Sequence, residues 1–305
     1  MGYRELFKSR ALRQKILRIL NFVPDKLMLR VQYYLTFHRT LNLKSPQRYT
    51  EKIQWYKLYY RTDLLKQCHD KYEVRKYVED KGLDSILNEC YGIFDSVEEI
   101  DFDALPNKFV LKDTMGSGST GIIFVHDKKQ LDIEKAKEEM RRWLTVPASQ
   151  KSFGREWGYD GTKHRIIAEK MLLDDPADDL PDYKFFCFNG RVYCSYFMNN
   201  YSQHPEDGAL CFVDRDYKLM QAWRKDFNCI KEQPECPKNY EQMLEYAEIL
   251  SRDFPHVRVD FYNIDGKIIF GELTFYNASG YTEFEPDSFD YELGKQFILP
   301  KKERK

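Results

Sequence analysis

VRVDFYNIDGKIIFGELTF, residues 257–275, reads as two strands around an Asn-x-Asp-Gly turn. Val257, Val259, Phe261, Ile269, Leu273 and Phe275 occupy odd positions, an apolar face by the two-residue period of a strand. Arg258, Asp260, Glu272 and Thr274 occupy even positions. Charges inside apolar strands are costly unless paired or bound, so the turn between the strands decides whether they meet. A two-residue loop at Asp265-Gly266 would pair Asp260 with Gly271 and send Glu272 to the opposite face. A three-residue loop, Ile264 to Gly266, with Gly266 as a left-handed bulge residue, pairs Arg258 with Glu272 and Asp260 with Phe270. The expectation is the second, with Arg258, Asp260 and Glu272 on one face and Val259, Leu273 and Phe275 on the other. Two carboxylates so placed could share Mg²⁺, with an arginine beside them for an anionic substrate. A cross-strand ion pair with a spare carboxylate explains the hairpin equally well, and the hairpin alone does not decide.

The chain has 305 residues, enough for one large domain or a few lobes around one site. A net charge of −1 gives no global basic field, which argues against a nucleic-acid partner. No apolar run approaches the ~20 residues that span a bilayer. The N-terminus, MGYRELFKSRALRQKILRIL, lacks the apolar centre and cleavage site of a signal peptide. Seven cysteines show neither CxxC nor Cys/His metal spacing, and a reducing cytoplasm is the simplest compartment.

Residues 4–40 are helical in pattern, with Leu6, Leu12, Ile16, Ile19 and Leu20 as an apolar stripe and Arg10, Arg13, Lys15 and Arg18 as a basic one. The preferred reading is an arm packed on the body. The other is peripheral contact with an anionic membrane at its inner face. Residues 46–66 and 70–81 read as two more helices, with Gly82 as a C-cap and a linker to Gly92. From Lys108 the pattern turns to strands: FVLK, then IIFV after a glycine-rich loop, RIIAEKMLL, and YKFFCFNGRVYCSYF with Asn189-Gly190 as a type I′ turn. Residues 131–144 and 238–252 are helical in pattern, and DDPADDLPD is an acidic loop. The fold class is α+β, with mostly antiparallel pairing.

Gly116-Ser117-Gly118-Ser119-Thr120-Gly121 could wrap phosphates with its backbone N–H groups. It is neither a P-loop nor a dinucleotide-binding turn, since it runs into a β-branched strand rather than a helix. With Lys112 just before it, it suggests a flap over a triphosphate. An ordinary hairpin loop is the plainer reading.

Five segments stand in the order found in ATP-grasp proteins: Asp70-Lys71-Tyr72-Glu73-Val74-Arg75; Val110-Leu111-Lys112 with the glycine loop; Ile166 to Leu172; Asp182-Tyr183-Lys184-Phe185; and Arg258-Val259-Asp260 with Glu272-Leu273-Thr274. More narrowly, the chain resembles the TupA-like ATP-grasp proteins of bacterial surface-polysaccharide clusters. The resemblance rests on LNLKSPQRYTEKIQWYKLY, DKYEVRKYV, DFDALPNKFVLK, RIIAEKML, DYKFFCFNG, FPHVRVDFY, GKIIFGELTF and ELGKQFILP, between Leu41 and Pro300. Two positions depart from the family pattern. Met115 stands where a His is usual, and Thr274 where many ATP-grasp enzymes place an Asn metal ligand, which makes Asn277 a candidate substitute.

The resemblance implies two α+β lobes clamping ATP behind a helical N-terminal extension. It divides the chain into an arm (1–45), a helical region (46–105), a small lobe with the flap (106–173) and a large lobe with the metal and acceptor site (174–305). It implies that Lys71 and Lys112 bind phosphate oxygens and that the backbone of Gly116, Ser117 and Gly118 covers the β and γ phosphates. Backbone groups of Glu169, Lys170 and Leu172 would read the adenine edge, and Asp182 would accept from a ribose hydroxyl. Lys184 would lie near the phosphates and Arg258 would stabilise the transferring group. Asp260, Glu272 and Asn277 would hold Mg²⁺. The implied reaction joins a uronic acid carboxylate, on a sugar nucleotide or polysaccharide, to an amine through an acyl phosphate.

Other readings are a sugar kinase on the same fold and a glycosyltransferase. The usual metal signature of the latter, Asp-x-Asp, occurs at Asp101-Phe102-Asp103 and Asp214-Arg215-Asp216, about as often as composition alone produces. His38, His69, His126, His164, His204 and His256 show no ligand spacing and read as surface or structural. His204, Arg215 and Lys218 are weak candidates for an acceptor site.

Overall fold

The computed structural model describes residues 10–116, 121–147, 150–172, 180–199 and 208–301. Helices lead. They are α1 (Arg10–Ile19), α2 (Asp25–Phe37), α3 (Tyr49–Tyr59), α4 (Asp63–His69) and α5 (Glu73–Asp80). The reading of 46–66 as one helix is corrected to two. Thr62 interrupts it and caps α4, its hydroxyl accepting from the Leu65 N–H at 3.2 Å. Gly82 follows α5 with φ of 73°, as a C-terminal stop requires.

A four-stranded sheet follows, in the order β1 (Cys90–Phe94), β4 (Ile166–Lys170), β2 (Phe109–Asp113) and β3 (Ile122–Val125). Strands β2 and β3 pair antiparallel around the glycine-rich loop. Between β3 and β4, helix α6 (Ile133–Leu144) buries Ala136 and Met140 against the sheet. Asp132 caps that helix through the Lys135 N–H at 3.0 Å. Strand β1, whose first residues fall in the stretch read above as a linker to Gly92, forms an edge of this sheet.

The larger sheet holds six strands in the order β11-β10-β5-β6-β7-β9. In chain order they are β5 (Asp182–Phe188), β6 (Arg191–Asn199), β7 (Ala209–Asp214), β9 (Asn228–Cys229), β10 (His256–Ile264) and β11 (Lys267–Thr274). A short strand β8 (Trp223–Arg224) pairs with β12 (Phe284–Glu285). Helices α7 (Tyr240–Ser251) and α8 (Ser288–Gln296) complete the set. Asn189 and Gly190 both have positive φ and close β5 onto β6 as a type I′ turn. The main core unites this sheet with α3, α4, α5, α7 and α8. Helix α8 approaches α3 closely at Gly294, where a Cβ would lie 2.1 Å from the Gln47 carbonyl oxygen.

The β10–β11 hairpin brings the expected charges to one face by a different route. Asp265 and Gly266 form a two-residue turn, both at positive φ, with Ile264 opposite Lys267. The phase is restored further along. Phe261 faces Phe270, but Asp260 faces Glu272, so Gly271 is an extra, bulged residue. The bulge also corrects the apolar face. Ile268, Phe270, Leu273 and Phe275 join the main core cluster, whereas Ile269, also buried, lies on the other face of β11, opposite Tyr262. Arg258 stands opposite Thr274 rather than Glu272.

A Cβ at Gly271 would sit 3.0 Å from the Asp260 carbonyl oxygen. Gly271→Ala is therefore expected to destabilise the fold by ~1–3 kcal/mol through forced backbone shifts. An unchanged urea midpoint would show that the bulge does not need glycine.

His256 is fully buried, with Nδ1 2.9 Å from the Cys187 carbonyl oxygen and Nε2 2.9 Å from the Tyr49 hydroxyl. The carbonyl requires a proton on Nδ1, so Nε2 accepts from Tyr49 and the ring is neutral. Burial pushes its pKa down to about 3. From the ordinary value of about 6.5 downward, the unfolded chain binds a proton that the folded one refuses, and stability falls with pH. The stability gap between the wild type and His256→Gln should then narrow by ~2 kcal/mol from pH 7 to pH 5. Paired denaturant titrations at the two pH values read it, and a constant gap would refute a neutral buried ring.

Candidate active site

In-register pairing sets Glu272, Asp260, Lys184 and Tyr196 in one row across β11, β10, β5 and β6. Arg258 lies two residues from Asp260 on the same face and crosses the row. Its Nε and Nη2 donate to the two Asp260 carboxylate oxygens at 2.7 and 2.6 Å, a bidentate pair. Nη2 also donates to Glu272 Oε1 at 3.1 Å and Thr274 Oγ1 at 2.9 Å. Nη1 donates to Asn277 Oδ1 and, at 3.3 Å, to the Tyr196 hydroxyl. Thr274 donates its hydroxyl to Glu272 Oε1 at 2.9 Å. Lys184 donates to Asp260 Oδ2 at 2.7 Å and pairs with Asp182, its neighbour on the same face of β5.

The group is almost entirely buried, apart from Glu272, whose side chain is 51% exposed. Burial works against the charged forms of Asp182, Lys184, Arg258 and Asp260, and the partners decide the outcome. Burial would raise Asp260, but Arg258 and Lys184 hold it below the usual carboxylate range. Burial would lower Lys184, but Asp182 and Asp260 keep it well above the usual amine value. Asp182 is raised to about 6 by burial, against the pull of Lys184. Its Oδ1 and the Asn277 Nδ2 are buried polar atoms without a hydrogen-bond partner.

The segment after α4 links this face to the smaller sheet. His69 stacks on Phe275 with ring centroids 5.0 Å apart. Next to it, Asp70 Oδ1 accepts from the Tyr72 and Glu73 N–H groups at 2.7 and 3.0 Å, capping the start of α5. Asp70 Oδ2 takes a hydrogen bond from Arg165, at the foot of β4. The Lys71 N–H donates to the Thr114 carbonyl oxygen at 3.0 Å, and its ammonium reaches that of Gly116, at the root of the glycine loop. Burial lowers the pKa of Lys71, Glu272 and Asp113 oppose that fall, and Lys112 adds to it. Lys71 thus stands within electrostatic reach of Lys112 on the smaller sheet and Glu272 on the larger one.

Ser117 and Gly118 lie outside the described residues, as does His204. Lys112, on β2, donates to Glu169 Oε2 at 2.7 Å, and Arg75 lies 3.6 Å from the other oxygen of that carboxylate. The backbone of Lys170 is already paired: its N–H donates to the Glu89 carbonyl oxygen and its own carbonyl accepts from Asn88. Leu172 follows β4.

Sequence reasoning passed over several members. Tyr196 is in phase with Lys184 across a recognisable hairpin, but a second bulge, in β6 opposite Phe186/Cys187, hides that phase. His164 is half-buried, its Nδ1 2.9 Å from both Asp113 oxygens at the base of the glycine loop. Lys57, on α3, is fully buried. Its ammonium donates to Gln54 Oε1, the Gly154 carbonyl, and the Ser279 carbonyl and hydroxyl, at 2.7–3.1 Å. It thereby holds the turn that carries Asn277, in which Ala278, Ser279 and Gly280 all have positive φ.

A sequence model of the family described as TupA-like ATPgrasp matches residues 51–298. The chain belongs to the TupA-like ATP-grasp family. The two sheets with the glycine loop and the charged row are thus its ATP-grasp fold. Solved structures similar to this family member include the D-alanine–D-alanine ligase of Bacillus anthracis, at 18% identity and a TM-score of 0.42 over 75% of this chain and 67% of that one. The same enzyme complexed with ATP gives 16% and 0.40, over 68% and 53%. N5-carboxyaminoimidazole synthetase of Staphylococcus aureus, complexed with ADP, gives 11% and 0.43, over 76% and 53%. The chain therefore spans from about half to two thirds of the length of these structures. Among curated proteins nothing matches it.

Proposed function

We propose that this ATP-grasp protein is an ADP-forming ligase that joins a carboxylate to an amine. The observation that carries the reading is the row Glu272–Asp260–Lys184 with Arg258 across it and Lys71 within electrostatic reach of both Glu272 and Lys112. Such a set positions and neutralises anions and offers no covalent nucleophile. The acceptor proposed is a uronic acid on a sugar nucleotide or surface polysaccharide, and the amine is an amino acid, amino alcohol or polymer. This part of the reading rests on the family resemblance.

In the first step, a carboxylate oxygen bonds to the γ-phosphorus of ATP and the bond to the β-phosphate oxygen breaks, releasing ADP. In the second, the amine nitrogen bonds to the acyl carbon, loses a proton, and inorganic phosphate leaves. Lys71 and Lys112 bind phosphate oxygens as point charges, and the backbone at Gly116, Ser117 and Gly118 covers them. Asp182 accepts from a ribose hydroxyl. The adenine edge falls to backbone groups at Leu172, just past β4, since those of Lys170 are paired within the protein and Glu169 stands in the ladder between β1 and β2. Arg258 and Lys184 stabilise charge that develops on the transferring phosphoryl group.

The oxygens of Asp260, Glu272 and Asn277 suit a hard divalent cation. All three already gather around one positive charge, the Arg258 guanidinium. They are the residues that would hold Mg²⁺, which when bound would neutralise phosphate charge. A reducing compartment agrees with this reading, since all seven cysteines are free.

Purified protein with Mg-ATP and a panel of uronic acids should release ADP and phosphate only when a suitable amine is added. AMP release would sink the acyl-phosphate route. A stable phosphorylated sugar would identify a kinase, and turnover of a sugar nucleotide without ATP a glycosyltransferase.

A further inference from the structure

Helix α2 has two different faces. Leu29 and Tyr33 turn inward onto Leu41, Leu43 and Trp55. Leu27, Val31 and Tyr34 recur at i, i+4 and i+7 on the outer side and are 53%, 46% and 56% exposed. Just before α2, Ile19 and Phe22 are 65% and 81% exposed. Five of the nine exposed large hydrophobic residues among those described thus fall within sixteen positions, Ile19 to Tyr34.

The charges around them have one sign. Lys15, Arg18, Lys26 and Arg30 are exposed. Asp25 is the one acid among the described residues of α1, α2 and the turn between them. It is drawn inward by Lys151, Arg155 and Arg61 at 2.7, 3.5 and 3.6 Å. Over residues 1–40 the sequence carries nine Lys and Arg against two acids, in a chain whose net charge is −1.

We propose that this outer face docks on an anionic lipid bilayer. Helix α2 lies in the interfacial plane, with Phe22, Leu27 and Val31 at the acyl boundary, Tyr34 at headgroup level, and Lys26 and Arg30 extended toward lipid phosphates. Apolar surface ringed by bases is what such an interface accepts. A nucleic acid would engage the bases and leave the apolar side chains in water. A second copy of the chain, paired symmetrically, would bring like charges together. Insertion across the bilayer is not the mode, since no helix among the described residues is long and apolar enough to cross one. The contact is independent of the proposed chemistry. It gives the protein an address beside lipid-borne or membrane-proximal substrates.

The test uses the full chain and sedimentable vesicles of phosphatidylcholine, alone or with roughly 30% phosphatidylglycerol, a composition that supplies the negative surface potential. Binding should be at least about tenfold stronger to the anionic vesicles and weaken as salt rises. Lys26→Glu with Arg30→Glu should lower it by about tenfold or more, and Leu27→Ser with Val31→Ser comparably, both at an unchanged thermal midpoint. Equal binding to neutral and anionic vesicles, binding untouched by either pair of substitutions, or no binding would overturn the proposal. So would a concentration-dependent dimer abolished by the serine pair, without vesicle binding, since it would assign the face to a second copy.

Discussion

Glu272→Gln is expected to cut ADP-forming turnover by about two to three orders of magnitude and to leave the thermal midpoint almost unmoved. The carboxylate is half exposed and holds Arg258 through one of several hydrogen bonds. Arg258 keeps its bidentate partner Asp260, the Thr274 hydroxyl and Asn277 when the Glu272 charge is gone. The substitution therefore strands no buried cation, and the amide can still accept from Thr274. On the proposed reading, what disappears is one of the negative oxygens that would hold Mg²⁺ against the phosphates, the kind of interaction that changes kcat more than stability. Turnover per folded molecule close to wild type would reduce Glu272 to a counter-ion of Arg258.

Asp260→Asn should behave in the opposite sense. Asp260 is buried between Arg258 and Lys184, at 2.6 and 2.7 Å from the nearer nitrogen of each. Removing its charge leaves two buried cations with Asp182 as the remaining buried carboxylate beside them. Breaking a buried pair in this way destabilises by about 3–5 kcal/mol, visible as a lower urea midpoint. Adding Lys184→Met should recover part of the loss, because the excess charge is removed. The wild type has its own signature. Asp260 lies below the usual carboxylate range in the fold, so its contribution is present above that range and is lost as pH falls through its folded value. An Asn variant as stable as the wild type would mean that the cations are not enclosed as the register places them.

The co-facial charges of β10 and β11 were legible because a two-residue period is simple and a charge in an apolar strand stands out. Their route to one face was not, since a turn that preserves phase and a bulge that shifts it give the same net result as an odd loop. Gly271 carried the missing signal, because a glycine inside a strand often marks a bulge. Strand β1 escaped because CYGIF is half-buried throughout and lacks alternation. Asn277 was chosen for its chemistry, and the structure places its oxygen on Arg258. What holds it there could not be read, because Lys57 sits in WYKLY like any solvent-facing lysine. Its acceptors come from residues 154 and 279, brought to α3 only by tertiary folding. The same is true of Arg165 reaching back to Asp70 and Glu73.

The lysine beneath the Asn277 turn has a consequence for reagent chemistry. Its three N–H donors face four acceptors, its surface is closed to solvent, and burial pulls its pKa down to about 7. Once freed, such an amine would be a better nucleophile than an ordinary lysine only while its surroundings persist, and while enclosed it meets no reagent at all. Acylation of Lys57 in a native sample would therefore wait on that turn lifting from α3, and with reagent fast enough to outpace reclosing it would proceed at the rate of lifting. A single modified residue would then time the breathing of the floor under the guanidinium cluster.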